Sequence, residues 1–158
     1  MRNIVIVLSF FMATSSISFS DNKNYEYFKE AHFSWNGNSY LSNSGELVKI
    51  NNEGSRDLIF LFGSRFEKLK LIDYFYKIQS KLINFNLEVV GINKSNSGNL
   101  IISLKDKRVI KIQDFKMDDQ LDRLHFFLTS NESKKIMANF KTIDLRYKNK
   151  IAIKYLNG

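Results

Sequence analysis

Apolar and polar residues alternate in short runs along most of this chain, and two longer stretches switch to a helical period. Residues 21–34 (DNKNYEYFKEAHFS) read as a weak first strand or a linker. Trp35-Asn36-Gly37-Asn38 marks a turn, and Ser39-Tyr40-Leu41 begins a short strand. Asn43-Ser44-Gly45 turns the chain into Glu46–Ile50, which alternates as a half-buried strand does. NNEGSRD is a loop, and LIFLFG (58–63) is a compact apolar run stopped by glycine. From 64 to about 83, Phe66, Leu69, Ile72, Tyr76 and Ile78 fall near a 3.6-residue period, which predicts a helix. Ser64 is its candidate N-cap, with Glu67 completing a capping box. A three-strand meander follows over 85–93, 99–105 and 108–113, joined by Ser95-Asn96-Ser97-Gly98 and Asp106-Lys107. A second helix is predicted over 117–129. Leu121, Leu124, Phe127 and Leu128 form its stripe, and Asp118, Asp119 and Asp122 stand near its positive end.

The last element, IDLRYKNKIAIKY (143–155), reads as two alternating runs around a Lys-Asn-Lys corner. Ile143, Leu145 and Tyr147 share one face of the first run, and Asp144 and Arg146 the other. Ile151 and Ile153 alternate with Ala152 and Lys154 in the second. The order β-β-α-β-β-β-α-β-β, with short connections, predicts an α+β fold: a mainly antiparallel sheet with two helices, ending in a C-terminal edge hairpin. A strand that closes a chain often lies at a sheet edge, where its outer N–H and C=O row can accept another strand. Lys150 and Lys154 then read either as gatekeepers against aggregation or as charge partners for an acidic peptide. On spacing alone, a purely structural hairpin is the simpler reading.

The N-terminus changes the picture of the first 20 residues. Met1-Arg2-Asn3 is positive, IVIVLSFFMA (4–13) is apolar except for Ser9, and small residues follow in TSSISFS. That is the order of a secretory signal, with Ser18-Phe19-Ser20 as a small-x-small exit. The run is short against the about twenty apolar residues of a membrane span, so a short anchor is the second reading and a buried strand the third. The expected organisation is therefore a signal peptide or short membrane anchor at 1–20 and a single domain at 21–158.

Composition narrows the function by exclusion. With 44% hydrophobic residues and 14 Phe, the chain has material for a core. Its net charge of +8 favours anionic surroundings, yet the lysines are dispersed, as on a solvated surface. The absence of Cys leaves the compartment open. His32 and His125 have no partners at metal-ligand spacing, and the glycines are scattered turn glycines with no phosphate loop or nucleophile elbow. Nucleic-acid binding has charge and aromatics in its favour but no recognition motif. The sequence therefore predicts no catalytic, cofactor or metal site, no nucleic acid and no small-molecule substrate.

The closing stretch resembles the C-terminal "DLRY-x-N-G-x-AV" signature of the FtsQ/DivIB cell-division proteins. Asp144-Leu145-Arg146-Tyr147 matches it directly, and Ala152-Ile153 conservatively. Trp35–Glu46 is similar to the family's "W…yLVDxxG" opening, and Leu58–Gly63 resembles "LPxLxGP" without its prolines. NLIISLKDKRVIKI and DQLDRLHFFL keep the family's order, so the resemblance covers about residues 33–156. Lys150 stands where the family has Gly, the Trp common near Asn99 is replaced, and the family's later "LG" is missing. Family members carry a transmembrane helix and a POTRA domain ahead of this domain. About thirty residues precede Trp35, so the resemblance implies a reduced exported version or a displaced gene start.

What the resemblance implies is a non-catalytic divisome scaffold on the periplasmic side of the inner membrane, at the septum. It implies an FtsB/FtsL-type partner bound by β-strand addition at the last strand. Carried over, Tyr147, Asn149, Lys150, Ile151, Ala152, Ile153, Lys154 and Tyr155 form the docking edge, with Lys150 a non-family side chain within it. The alternative is an exported basic α+β domain that binds anionic surfaces or peptides without a role in division.

Overall fold

A computed structural model describes residues 30–50 and 57–156 of the chain. The strands are β1 (Phe33–Trp35), β2 (Ser39–Leu41), β3 (Leu47–Val48), β4 (Ile59–Phe62), β5 (Val89–Lys94), β6 (Asn99–Leu104), β7 (Val109–Gln113), β8 (Phe140–Asp144) and β9 (Ala152–Tyr155). The helices are α1 (Lys68–Leu82), α2 (Met117–Thr129) and α3 (Ser133–Met137). All nine strands form one sheet in the order β3-β2-β1-β4-β5-β6-β7-β8-β9. The fold is α+β with a mainly antiparallel sheet, and its last strand is an edge strand, as the pattern predicts.

Three of the eight pairings are parallel: β1 with β4, β4 with β5, and β7 with β8. The latter two have a helical crossover as their cause. A strand that returns over a helix lies parallel to the strand before it. Thus α1 carries β4 into β5, and α2 with α3 carries β7 into β8. The helix α3 was not anticipated. SNESKK is too polar and too short to show a period, and the helix stands on packing against α2 and on the Ser133 hydroxyl donating to the Leu128 and Ser130 carbonyls.

The register aligns one apolar row across seven strands: Trp35, Leu61, Ile92, Ile102, Ile110, Ile143 and Ile153 are successive neighbours. Every member up to Ile143 is buried, and only Ile153, at the edge, is half-buried. This is the helix-facing side of the sheet. On α1 the buried residues are Leu71, Ile72, Tyr74, Phe75, Ile78 and Leu82. Phe66, Leu69 and Tyr76, three of the five residues of the expected stripe, are exposed by 84%, 62% and 48%. The helix carries two overlapping apolar stripes, and burial against the sheet selects the second; Phe33 of β1 meets both Phe75, at 5.4 Å, and Tyr76, at 6.2 Å, edge-on. On α2 the predicted stripe is buried at Leu121, Leu124 and Leu128, with Phe127 packed against the core.

The capping box at the start of α1 does not form. The helix begins four residues after Ser64, and Glu67 is the cap residue without a side-chain cap bond. Its carboxylate is taken instead by Lys94 at the end of β5, at 2.6 Å, and Lys94 also faces Asp114 at 3.3 Å. Gly98, at φ +79° in the β5–β6 turn, leaves room for the Asp114 carboxylate, which lies 2.5 Å from where a Cβ would stand. Lys94 is nearly buried, so replacing it with methionine leaves two carboxylates facing each other. We expect Lys94→Met to lose about 2 kcal/mol of stability in urea titration. The bond to Glu67 raises the Lys94 pKa. Its contribution is therefore complete below the ordinary lysine range, about pH 10.4, and is lost only as pH rises through the folded value.

The signal or anchor expected at residues 1–20, and residues 21–29 of the stretch read as a weak first strand or a linker, lie outside the described residues, while the end of that stretch enters β1. Among the described residues, no helix is long and apolar enough to cross a membrane.

Candidate partner-docking edge

Strand β8 ends at Asp144, and the chain does not turn tightly into β9. Residues 145–151 form the connection, with its corner at Lys148-Asn149, where Asn149 takes the left-handed φ of 56°. The expectation that Ile143, Leu145 and Tyr147 share one strand face holds for Ile143 and Leu145, both wholly buried in the core, and fails at Tyr147, which is 56% exposed. The Leu145 N–H still donates to the Lys111 carbonyl of β7 at 2.9 Å, continuing the β7–β8 ladder by one bond.

The polar residues of the DLRY stretch hold the turn that leads out of β8. The Asp144 Oδ1 accepts the Arg146 backbone N–H at 3.1 Å, a local turn that a carboxylate two residues upstream can make. The Arg146 guanidinium then grips the same carboxylate with both arms, Nε to Oδ1 at 2.9 Å and Nη2 to Oδ2 at 2.6 Å. Asp144 is buried, which alone would raise its pKa. The Arg146 side chain and backbone N–H more than offset this and hold it below the usual carboxylate range. A depressed carboxylate contributes stability above its unfolded value, about pH 3.9, and loses it as pH falls through the lower folded value. Asp144→Asn is therefore expected to lose about 2 kcal/mol at neutral pH. Its Tm profile should be flatter than the wild type's below about pH 4. Parallel profiles would deny the clamp.

The opposite side of the connection is held from α2. Arg123 donates Nη2 to the Leu145 carbonyl at 2.5 Å and Nη1 to the Tyr147 carbonyl at 3.1 Å. The buried Arg123 Nε has no hydrogen-bond partner within the described residues. Sequence reading missed this residue. Its only signal was a cation beside an apolar stripe, and its carbonyl partners are 22 and 24 residues away.

Of the residues expected at the docking edge, Ala152, Ile153, Lys154 and Tyr155 form β9, while Tyr147, Asn149, Lys150 and Ile151 lie in the connection. Leu156, absent from that expectation, is 56% exposed, and its N–H donates to the Asn139 carbonyl beside β8 at 2.9 Å. Backbone groups alternate along a strand, so Lys154 and Ala152 also point theirs at β8, consistent with their pairing to Thr142 and Asp144. The N–H and C=O of Ile153 and Tyr155 consequently point away from the sheet, where no described strand lies. Side chains alternate too. Ile153 and Tyr155 continue the helix-facing rows through Ile143 and Phe140, and Ala152 and Lys154 stand on the other face.

The other candidates from sequence have structural places. His32 bridges strands by its backbone, donating to Leu41 and accepting from Ile59. His125 lies edge-on to Phe85 at 5.5 Å. Asp118 and Asp122 meet Lys77 and Lys81 of α1, so they join the two helices in addition to standing near the start of α2.

A family model for the cell division protein FtsQ/DivIB, C-terminal, matches residues 33–146. No curated protein matches the chain.

Proposed function

Because the chain belongs to the FtsQ/DivIB family of cell-division proteins through this C-terminal domain, we propose that it is a non-catalytic divisome scaffold that accepts a partner's β-strand at β9. The observation that carries the reading is the outward-pointing backbone row of an edge strand whose position and approach are fixed by Asp144, Arg146 and Arg123. Strand addition takes its affinity from main-chain hydrogen bonds and its selectivity from alternate side chains. An edge already held in place loses little conformational freedom when a partner pairs with it. The partner in this reading is of the FtsB/FtsL type. The domain lies on the periplasmic side of the inner membrane, delivered or anchored by residues 1–20.

The test is titration of the full chain with the extracytoplasmic segments of the FtsB-like and FtsL-like proteins encoded in the same genome. Saturable binding is expected. Absence of binding by the folded protein would remove the scaffold reading. It would favour the second one, a basic exported domain on anionic surfaces, for which the +8 net charge is the supporting observation. Binding of anionic vesicles that collapses as salt rises, with no protein partner, would mark that outcome.

A further inference from the structure

The two faces of β9 are chemically unlike, and any strand that pairs with it must answer both. On the helix-facing side the row from Trp35 to Ile143 reaches the edge at Ile153 and stops there half-buried, with Tyr155 one step along. On the other side stand Ala152 and Lys154, preceded by the exposed Lys150. Residues 141–155 hold five cations, Lys141, Arg146, Lys148, Lys150 and Lys154, against one carboxylate, Asp144. That carboxylate is already gripped by Arg146, so the clamp satisfies one cation and leaves the lysines of the edge with no acidic neighbour in this stretch.

Resting on the strand-addition reading, we propose that the segment β9 accepts alternates apolar and acidic residues. Its apolar side chains extend the Ile143–Ile153 row, and its carboxylates stand over Lys154, with the exposed Lys150 of the connection adding to the same positive field. Pairing fixes this geometry. Directly opposed side chains on one face lie about 5 Å apart, close enough for an aliphatic pair to shed water and for opposite charges to attract. A lysine-bearing strand in the same register sets like charges against each other, which is unfavourable by a similar amount. The edge thus selects by charge on one face and by burial on the other. A strand lacking either pattern meets a mismatch at every second residue.

Two ten-residue peptides, one alternating Val with Glu and one alternating Val with Lys, separate this inference from the reading beneath it. The full chain is titrated with each at low and moderate salt. We expect the acidic peptide to bind at least about tenfold more tightly than the lysine peptide, with the gap narrowing as salt rises. Lys150→Glu/Lys154→Glu should reverse that preference. Lys134→Glu/Lys135→Glu, the same charge change on α3, should keep its direction. Equal binding of both peptides, abolished by Ile153→Pro, would leave strand addition standing and overturn the charge inference. Acidic binding that survives Ile153→Pro would place the contact elsewhere and overturn it as well. Failure of both peptides alongside binding of the FtsB-like segment would reject the alternating pattern alone.

Discussion

Replacing Ile153 with proline is expected to weaken partner binding by about a hundredfold or more while the domain remains folded. The asymmetry follows from where the backbone of β9 points. The Leu156 N–H reaches back to Asn139, so by alternation the Ile153 N–H faces outward and takes no part in the β8–β9 ladder. Proline there removes a donor that the β8–β9 ladder does not use, and its ring occupies the space in which an added strand's carbonyl would lie. One hydrogen bond forfeited is worth about 1 kcal/mol, and a carbonyl left unpaired in a closed interface adds about 1–3 kcal/mol. The domain itself loses part of one half-buried aliphatic side chain, about 1 kcal/mol. Lys154→Pro is the matched control. Its N–H points at β8, where Lys154 pairs with Thr142, so that variant should lose fold stability and binding together. Calorimetric titration of both variants with the FtsB-like segment, beside their urea midpoints, reads the difference. Wild-type affinity in Ile153→Pro would sink the edge assignment.

Arg123→Met is expected to release the connection between β8 and β9. Methionine keeps an unbranched apolar stem but removes both donors, leaving the Leu145 and Tyr147 carbonyls without their partner. Hydrogen bonds from a charged group contribute about 1.5–3 kcal/mol each, and the Tyr147 one is exposed and counts for less. A loss of about 3 kcal/mol follows. It should be concentrated locally, because these bonds tie one seven-residue connection and not the core. Hydrogen exchange over 145–155 should rise by one to two orders of magnitude, about 1.4 kcal/mol for each, while β5, β6 and β7 stay protected. Partner affinity should fall as well, since an edge that is no longer preset must be ordered on binding. Unchanged exchange across 145–155 would show that Arg123 does not hold the hairpin. Arg123→Lys should recover only part of the protection, because an ammonium is a point donor and lacks the planar fork that spans two carbonyls.

These two expectations differ in how far the sequence leads to them. The two faces of the strand that carries Ile153 follow from the alternation in IAIKY. The fold adds that β9 is an edge and which way the Ile153 N–H points. Arg123 follows from nothing local. Its partners are brought to it by the crossover from β7 through α2 and α3 to β8, a long-range arrangement without periodicity. The clamp of Asp144 and Arg146 lies between these cases. The DLRY pattern flags both residues and their spacing permits the contact, yet a regular strand would place them side by side on one face without the turn that joins them.

The sequence by itself determined the meander, the second helix and the closing hairpin, because each is written in a period of 2 or 3.6 within a short window, and the family pattern, because it is written in a few residue identities such as Asp144-Leu145-Arg146-Tyr147. It also determined that the last strand is amphipathic, with isoleucines on one side and a lysine on the other. Tertiary structure alone decided which apolar stripe of α1 faces the sheet, since two stripes compete on one helix and only burial against the sheet separates them. It decided that Glu67 pairs with Lys94 and does not cap its own helix, because a nearly buried ammonium outcompetes an exposed backbone N–H for that carboxylate. It also decided that three strand pairs are parallel and that the hairpin opens into a seven-residue connection. Those outcomes depend on which distant strand lies alongside, and no local period encodes that.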